Sequence, residues 1–293
     1  MSKNVKQKRY KINRVRAFDV IIFVLFCLFA LSCLFPLVNT LLTSFASEGD
    51  YYSSGFLVIP AHFTFNAYDF IFTQGRIFDA FLESLWVSVL YVVVAIVMTS
   101  LGAYALTKTK MPGNRIFFIF VTITMFFGGG LIPFYFVIKD LGLVNGYFAL
   151  IFPFCINTFY MIILRNFFRQ VPDSLEESCR IDGANEFIIF IKFVIPLSIT
   201  GIITICLFYF VDKWNDWYWP MILINDDSKY PLALEIRNML SGNMAIDYSG
   251  KDLTYQKGKE AAMIMFSIIP ILIIIPFCQK FMTKGVLIGS VKS

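Results

Sequence analysis

Ser84-Leu85-Trp86-Val87-Ser88-Val89-Leu90-Tyr91-Val92-Val93-Val94-Ala95-Ile96-Val97-Met98-Thr99-Ser100-Leu101-Gly102-Ala103-Tyr104-Ala105-Leu106-Thr107 is a run of 24 residues without Asp, Glu, Lys or Arg, and it decides the fold class. A bilayer core about 30 Å thick takes roughly 20 helical residues to cross, so the run is long enough to span. Lipid cannot pair a bare backbone N–H or C=O, so a chain crosses as helices or as a closed barrel. A barrel needs short alternating segments, and these are absent. Five more charge-free runs lie at 20–47, 116–138, 141–164, 193–211 and 261–279, the shortest of 19 residues. A further one, 51–68, holds Ser53, Ser54, Gly55, Pro60, His62 and Asn66 and reads as a loop with an interfacial segment. Composition agrees: 58% of the 293 residues are apolar and 15% charged, against about 45–50% and about 25% in soluble domains. The expected fold is all-α and polytopic, with six spans at about 18–46, 84–107, 116–138, 146–166, 196–222 and 259–280.

The first span is expected to be a retained anchor. Its apolar run, 20–38, exceeds the roughly 7–15 residues of a signal-peptide core, and no A-x-A site follows. Pro36, Pro133, Pro153, Pro220, Pro270 and Pro276 lie in or beside spans, and those of the later spans predict kinks. Gly128-Gly129-Gly130 predicts a weak or close-packed turn within the third. With the N-terminus on side one, that side carries 17 of the 25 Lys and Arg. The positive-inside bias makes it cytoplasmic and puts both termini there. The basic tail 1–17 then sets topology beside anionic headgroups; residues 284–293 form a second inside tail, and nucleic acid is not an expected partner. Cys27, Cys33, Cys155, Cys206 and Cys278 fall within spans and Cys179 on the cytoplasmic side, so free thiols are expected.

One inside loop, 165–192, is long enough to fold. Ser174 with Glu177 three residues on has capping-box spacing, and Asp173 with Glu176 offers a second register. A helix from there to about Ile181, stopped by Gly183, and a second over 185–193 make a helix–turn–helix shelf with Phe187, Ile188, Ile191 and Val194 at helical spacing. Such a shelf suits docking into a groove of another protein.

Glu177-Ser178-Cys179-Arg180-Ile181-Asp182-Gly183-Ala184, followed by Pro196-Leu197-Ser198, resembles the EAA motif of ABC-importer permeases. Gly129-Gly130-Leu131-Ile132-Pro133, Leu141-Gly142-Leu143, Trp214-Asn215 and the tail around Lys284-Gly285 and Val291-Lys292 extend the likeness to MalG-type carbohydrate permeases, with features of the Gram-positive branch handling oligosaccharides and polysaccharide fragments. Ser178 and Cys179 depart from the usual alanines, and both are small. The resemblance implies a type I ABC-importer permease fold that is half of a pore, with a second homologous permease, two cytoplasmic ATPase subunits, an extracellular solute-binding lipoprotein and a saccharide cargo. Glu177 would face the ATPase, Asp182 cap or brace the second short helix, Gly183 make the insertion turn and Ala184 permit close approach. ATP and magnesium would bind the partner ATPase and no cofactor this chain, which therefore is not itself an enzyme.

The residues fit that division. Gly250-Lys251 and Gly258-Lys259 lack the spacing and the Ser or Thr of a phosphate loop, and His62 is the only histidine, too few for a His-based metal site or triad. Charges inside spans are nearly absent, against an ion relay. For the cargo path the candidates are Trp214, Asn215, Asp216, Trp217 and Tyr218, since aromatic faces stack on sugar rings while amides and carboxylates meet hydroxyls; an interfacial aromatic belt explains the same cluster. Asn157 is a weaker candidate. The outer loops, 48–83 and 212–260 with Lys139 and Asp140, hold 14 acids against 8 bases, as a binding-protein dock would want. Three readings stay open beside the sugar permease: an ABC permease for another solute, a membrane-embedded lipid or polysaccharide enzyme, hinted only by Asp212 with Asp216, and a secondary transporter, which would show two related halves.

Overall fold

A computed structural model describes residues 17–55, 58–73, 75–109, 111–241 and 256–290. The basic segment 1–16 and the stretch 242–255, expected in an outer loop, lie outside the described residues. The helices run in the order α1 (Ala17–Phe45), α2 (Glu48–Ser53), α3 (Asn66–Thr73), α4 (Arg76–Ala105), α5 (Asn114–Thr124), α6 (Leu131–Asp140), α7 (Thr158–Phe168), α8 (Asp173–Ile181), α9 (Glu186–Ile189), α10 (Ile195–Leu197), α11 (Ile199–Trp214), α12 (Tyr218–Leu223), α13 (Leu232–Leu240) and α14 (Gln256–Ser290), with no strand among the described residues.

Three helices are long and apolar enough to cross a bilayer alone: Phe18–Phe45, Arg76–Ala105 and Gln256–Phe281. Two bent helix pairs are long and apolar enough only when each is taken together. Two short 3₁₀ turns, Tyr147–Leu150 and Phe152–Phe154, meet α7 at 52°, and Glu186–Leu197 meets α11 at 82°. The expected continuous helix at 116–138 is instead broken into α5 and α6, of 11 and 10 residues, each about 15 Å long and too short to span alone. The cause is the triglycine. A Cβ at Gly128 or Gly129 would meet nothing, so this is an open break and not the close-packed contact its composition also allowed, and Gly130 has φ +85° and ψ 162°, a region essentially restricted to glycine. Pro270 and Pro276 leave α14 in one piece, and that helix runs on to Ser290, past the expected start of the tail at 284.

α4 is the central post, packed along α11 and α7 and, near its start, along α3 and α13. Val87, Tyr91, Ala95 and Ala103 form its buried stripe, facing Leu164 of α7 and Ile205 and Tyr209 of α11; residues four apart on a helix share a face. Where α7 crosses α11 the Phe167 side chain lies against Gly201, at which an added Cβ would overlap it. α1 touches mainly α14, and its apolar window is wholly unburied.

Candidate coupling site

The shelf between α7 and α11 begins with Pro172, whose extended backbone (φ −64°, ψ 132°) turns the chain into α8. The first helical residue is Asp173, one before the expected capping-box Ser174, and no side chain caps this end. Asp173 and Glu176 occupy the first turn, where carboxylates meet the positive end of the helix dipole. α8 closes in a Schellman turn: Ala184 N–H donates to the Cys179 carbonyl at 2.9 Å and Gly183 N–H to that of Arg180 at 3.1 Å. The turn needs positive φ, and Gly183 supplies +84°. The cap of α9 is Asn185, whose Oδ1 accepts from Ile188 N–H at 2.9 Å. Asp182, expected to cap that helix, is the exposed C-cap of α8. The expected single helix 185–193 is α9 followed by a π turn, Phe190–Val194, and α10. Ser198 then carries the 82° bend into α11.

The shelf has two faces. Cys179, Ile189, Phe190 and Val194 are buried against the spans. Glu177, Ser178 and Gly183 are exposed, as are Ile181 at 86%, Phe187 at 62%, Ile188 and Ile191. Val194, expected beside these apolar residues, thus belongs to the other face.

Beneath α4, four charges and a tyrosine meet. Lys108 pairs with Glu176 and, at 3.0 Å, with Glu186. Arg180 pairs with the same two carboxylates at 2.8 and 2.7 Å. Tyr104 O–H donates to Glu186 at 2.8 Å, and the Lys108 ammonium lies 4.1 Å above the Tyr104 ring. The hydrogen bond from Arg180, with those from Lys108 and Tyr104, pulls the Glu186 carboxyl down to about 2. A cleft of about 600 Å³ opens beside them, lined among others by Lys108, Arg169, Asp173, Glu176 and Glu177. Sequence reading missed this cluster. Glu176 and Arg180 stand one turn apart and were legible as a helix pair, but Lys108 lies 68 residues from Glu176.

The residues expected along a cargo path are dispersed. Trp214 is 4% exposed; its indole N–H donates to the Ser267 carbonyl at 3.0 Å, and its ring stacks on Phe210 and meets Phe81 edge-on. Its faces are taken by the core. Asn215 caps α11, and its side-chain amide donates to Val211. Asp216 pairs with the buried Lys213 at 2.9 Å and accepts from Trp219 N–H. Trp217 and Tyr218 are exposed, with the Arg237 guanidinium 4.6 Å from the Trp217 ring. Asn157 caps α7, its Oδ1 accepting from Phe159 and Tyr160. Where α7 faces α11, Tyr160 O–H donates to the exposed Asp212 at 2.6 Å, and the buried Tyr209 hydroxyl accepts from Asn157 N–H and meets Thr99.

A polygalacturonan/rhamnogalacturonan transport system permease of Bacillus subtilis (strain 168), YtcP, is 40% identical over 94% of this chain and 99% of its own length. The chain belongs to the sugar-importing ABC permease family. The permease's match to the arabinooligosaccharide permease AraQ of Halalkalibacterium halodurans is 27%, over 91% of this chain and 94% of the relative. A bacterial ABC transporter involved in the import of the acidic polysaccharide alginate superimposes with a TM-score of 0.86 at 30% identity, covering 93% of this permease and 99% of that chain. No protein-family model matches the permease. Its fold class is thus that of an ABC-importer permease, and with its apolar helices it is a membrane protein.

Proposed function

We propose that this permease is one half of the translocation pore of an ATP-driven importer for an oligosaccharide or polysaccharide fragment, and that α8 and α9 dock on a separate ATPase subunit. The observation that carries the reading is the outer face of the shelf. Ile181, Phe187, Ile188 and Ile191 are exposed on the shelf, as is Glu177, and exposed large apolar side chains among charged ones are what a protein interface presents. Glu177 meets polar or basic groups of the ATPase, and Ser178 and Cys179 keep the helix slim, Cys179 toward the spans. Asp182, Gly183 and Ala184 form the turn that enters the ATPase cleft. MgATP is held by the ATPase alone.

The cargo assignment draws support from the relatives, named for polygalacturonan/rhamnogalacturonan and for arabinooligosaccharides, and from the alginate importer. The exposed α1 fits a chain that completes itself against a second permease and lipid. On this reading α5 and α6 form the third crossing, making six, with both termini cytoplasmic and the folded outer segment around α12 and α13 meeting a solute-binding lipoprotein. Cargo passes the α7–α11 face, where Asp212 and Asn215 are exposed, while Asn157 and Asp216 brace that face and Trp214 holds α11 to α14 behind it; Trp217 and Tyr218 stand further out.

The test is uptake by the complex purified through a tag on this chain and placed in liposomes. Glu177→Lys and Gly183→Pro are expected to insert normally and to lose ATP-dependent saccharide uptake, because one inverts the charge of the docking face and the other forbids φ +84°. Unimpaired uptake in both overturns the docking assignment.

A further inference from the structure

The chain joins the shelf covalently only to α7 and α11, and the link to α11 is bent by 82° at Ser198. A lever held by a bent joint rocks about that joint unless it is braced elsewhere. The four charges beneath α4 supply a brace. Lys108, three residues past the end of α4, contacts Glu176 in the first turn of α8 and Glu186 in the first turn of α9, and Arg180 in the last turn of α8 contacts the same two carboxylates. Signs alternate around a closed ring, each cation shared by both anions, so the group is neutral and each side chain is held from two directions. Tyr104, the penultimate residue of α4, lies under the Lys108 ammonium, donates to Glu186 and packs on Phe190 with ring centroids 4.8 Å apart. Glu176 and Lys108 are the more shielded members, with side chains 14% and 23% exposed. The central post of the fold is thereby fastened to both helices of the shelf.

We infer that Lys108 is a positioning residue for coupling, the latch through which movement of the shelf reaches α4 as well as α7 and α11. The inference rests on the docking reading above and deepens it: an ATPase that grips the shelf turns the whole α4–α7–α11 body only while the latch holds. With Lys108 removed, Arg180 still ties α8 to α9, so the shelf keeps its own shape and its docking face while its tie to α4 is weakened to Tyr104. Partly exposed pairs are individually weak, so the fold stands without this one; the loss is of transmission.

The experiment measures ATP hydrolysis and saccharide uptake together on the purified complex in liposomes, for wild type, Lys108→Met and Lys108→Arg. In Lys108→Met the ATPase subunit is expected to co-purify at the wild-type ratio, while uptake per ATP hydrolysed falls at least tenfold. Lys108→Arg is expected to restore it, since a guanidinium reaches both carboxylates. Glu186→Gln, which removes one exposed member of the ring, is expected to uncouple in the same direction. Wild-type uptake per ATP in Lys108→Met overturns the latch, as does loss of the ATPase from that variant, which would make Lys108 part of assembly. Failure of the docking reading shows in the wild type itself, as a complex whose shelf does not cross-link to the ATPase.

Discussion

Trp214 has the chemistry of a sugar platform and the surroundings of a core residue, and the surroundings decide its work. Its ring packs among Phe81 and Phe210, and its N–H satisfies a carbonyl of α14, so it ties α11 to α14. Trp214→Ala is expected to lower stability by about 3–5 kcal/mol, as truncation of a buried aromatic does. Thermal unfolding in detergent checks this, and the fraction that remains folded should retain wild-type cargo-stimulated ATP hydrolysis; a stable variant that ignores cargo would return Trp214 to the cargo path. The contrast with Gly183 shows which residues could be read in advance. A turn glycine works within a few residues of itself, so its sequence context carries its role, and the structure gives it the expected positive φ. Asn185 took the cap expected of Asp182 because Asn at an N-cap accepts from the N–H three residues on, while Asp182 is still in the closing turn of α8. The role of Trp214 depends on where α14 lies, which adjacent residues do not record.

At the scale of elements, hydropathy located the apolar runs because the bilayer imposes one length on all of them, but it does not register how a run is divided. α1, α4 and α14 came out as single helices, whereas three other runs are bent or broken. Pro270 and Pro276 do not break α14, as membrane helices tolerate proline when neighbouring groups satisfy the freed carbonyls. The triglycine was the better guide, and its three members are not equivalent. Alanine at Gly128 or Gly129 meets no atom and faces no positive φ, and it restricts the unfolded chain by about 0.4–1 kcal/mol, so each variant is expected to melt no lower than wild type. Gly130 starts α6 from φ +85° and ψ 162°, so Gly130→Ala is expected to cost about 1–3 kcal/mol. Melting curves of the three single variants in one detergent separate these cases. Equal melting would mean that the break tolerates helix at every position.

Across the whole molecule, the segment around α12 and α13 is held to the central post by contacts between residues too distant in the chain for any motif to join them. Arg76 at the start of α4 meets Glu235 of α13 at 2.8 Å across 159 positions, and Leu232 N–H donates to Ser84 Oγ at 2.7 Å. Glu235 has no exposed surface, and its Oε2 has no hydrogen-bond partner. Burial raises its carboxyl above the usual glutamate range, only partly offset by Arg76, with Asp227 and Glu83 adding to the rise. A carboxyl raised on folding binds its proton more tightly in the native state, so its contribution to stability is fully present below the unfolded glutamate value and is lost as pH rises through the native one. Acidification from neutral toward the usual glutamate range should therefore tighten the seating of α13 on α4. Because other carboxylates titrate in the same range, the wild type is compared with Glu235→Gln, which keeps the shape and removes the titration. The melting temperature of the wild type relative to that variant is expected to rise from pH 7.5 to pH 5, and a difference that stays flat would mean that Arg76 holds Glu235 ionised throughout.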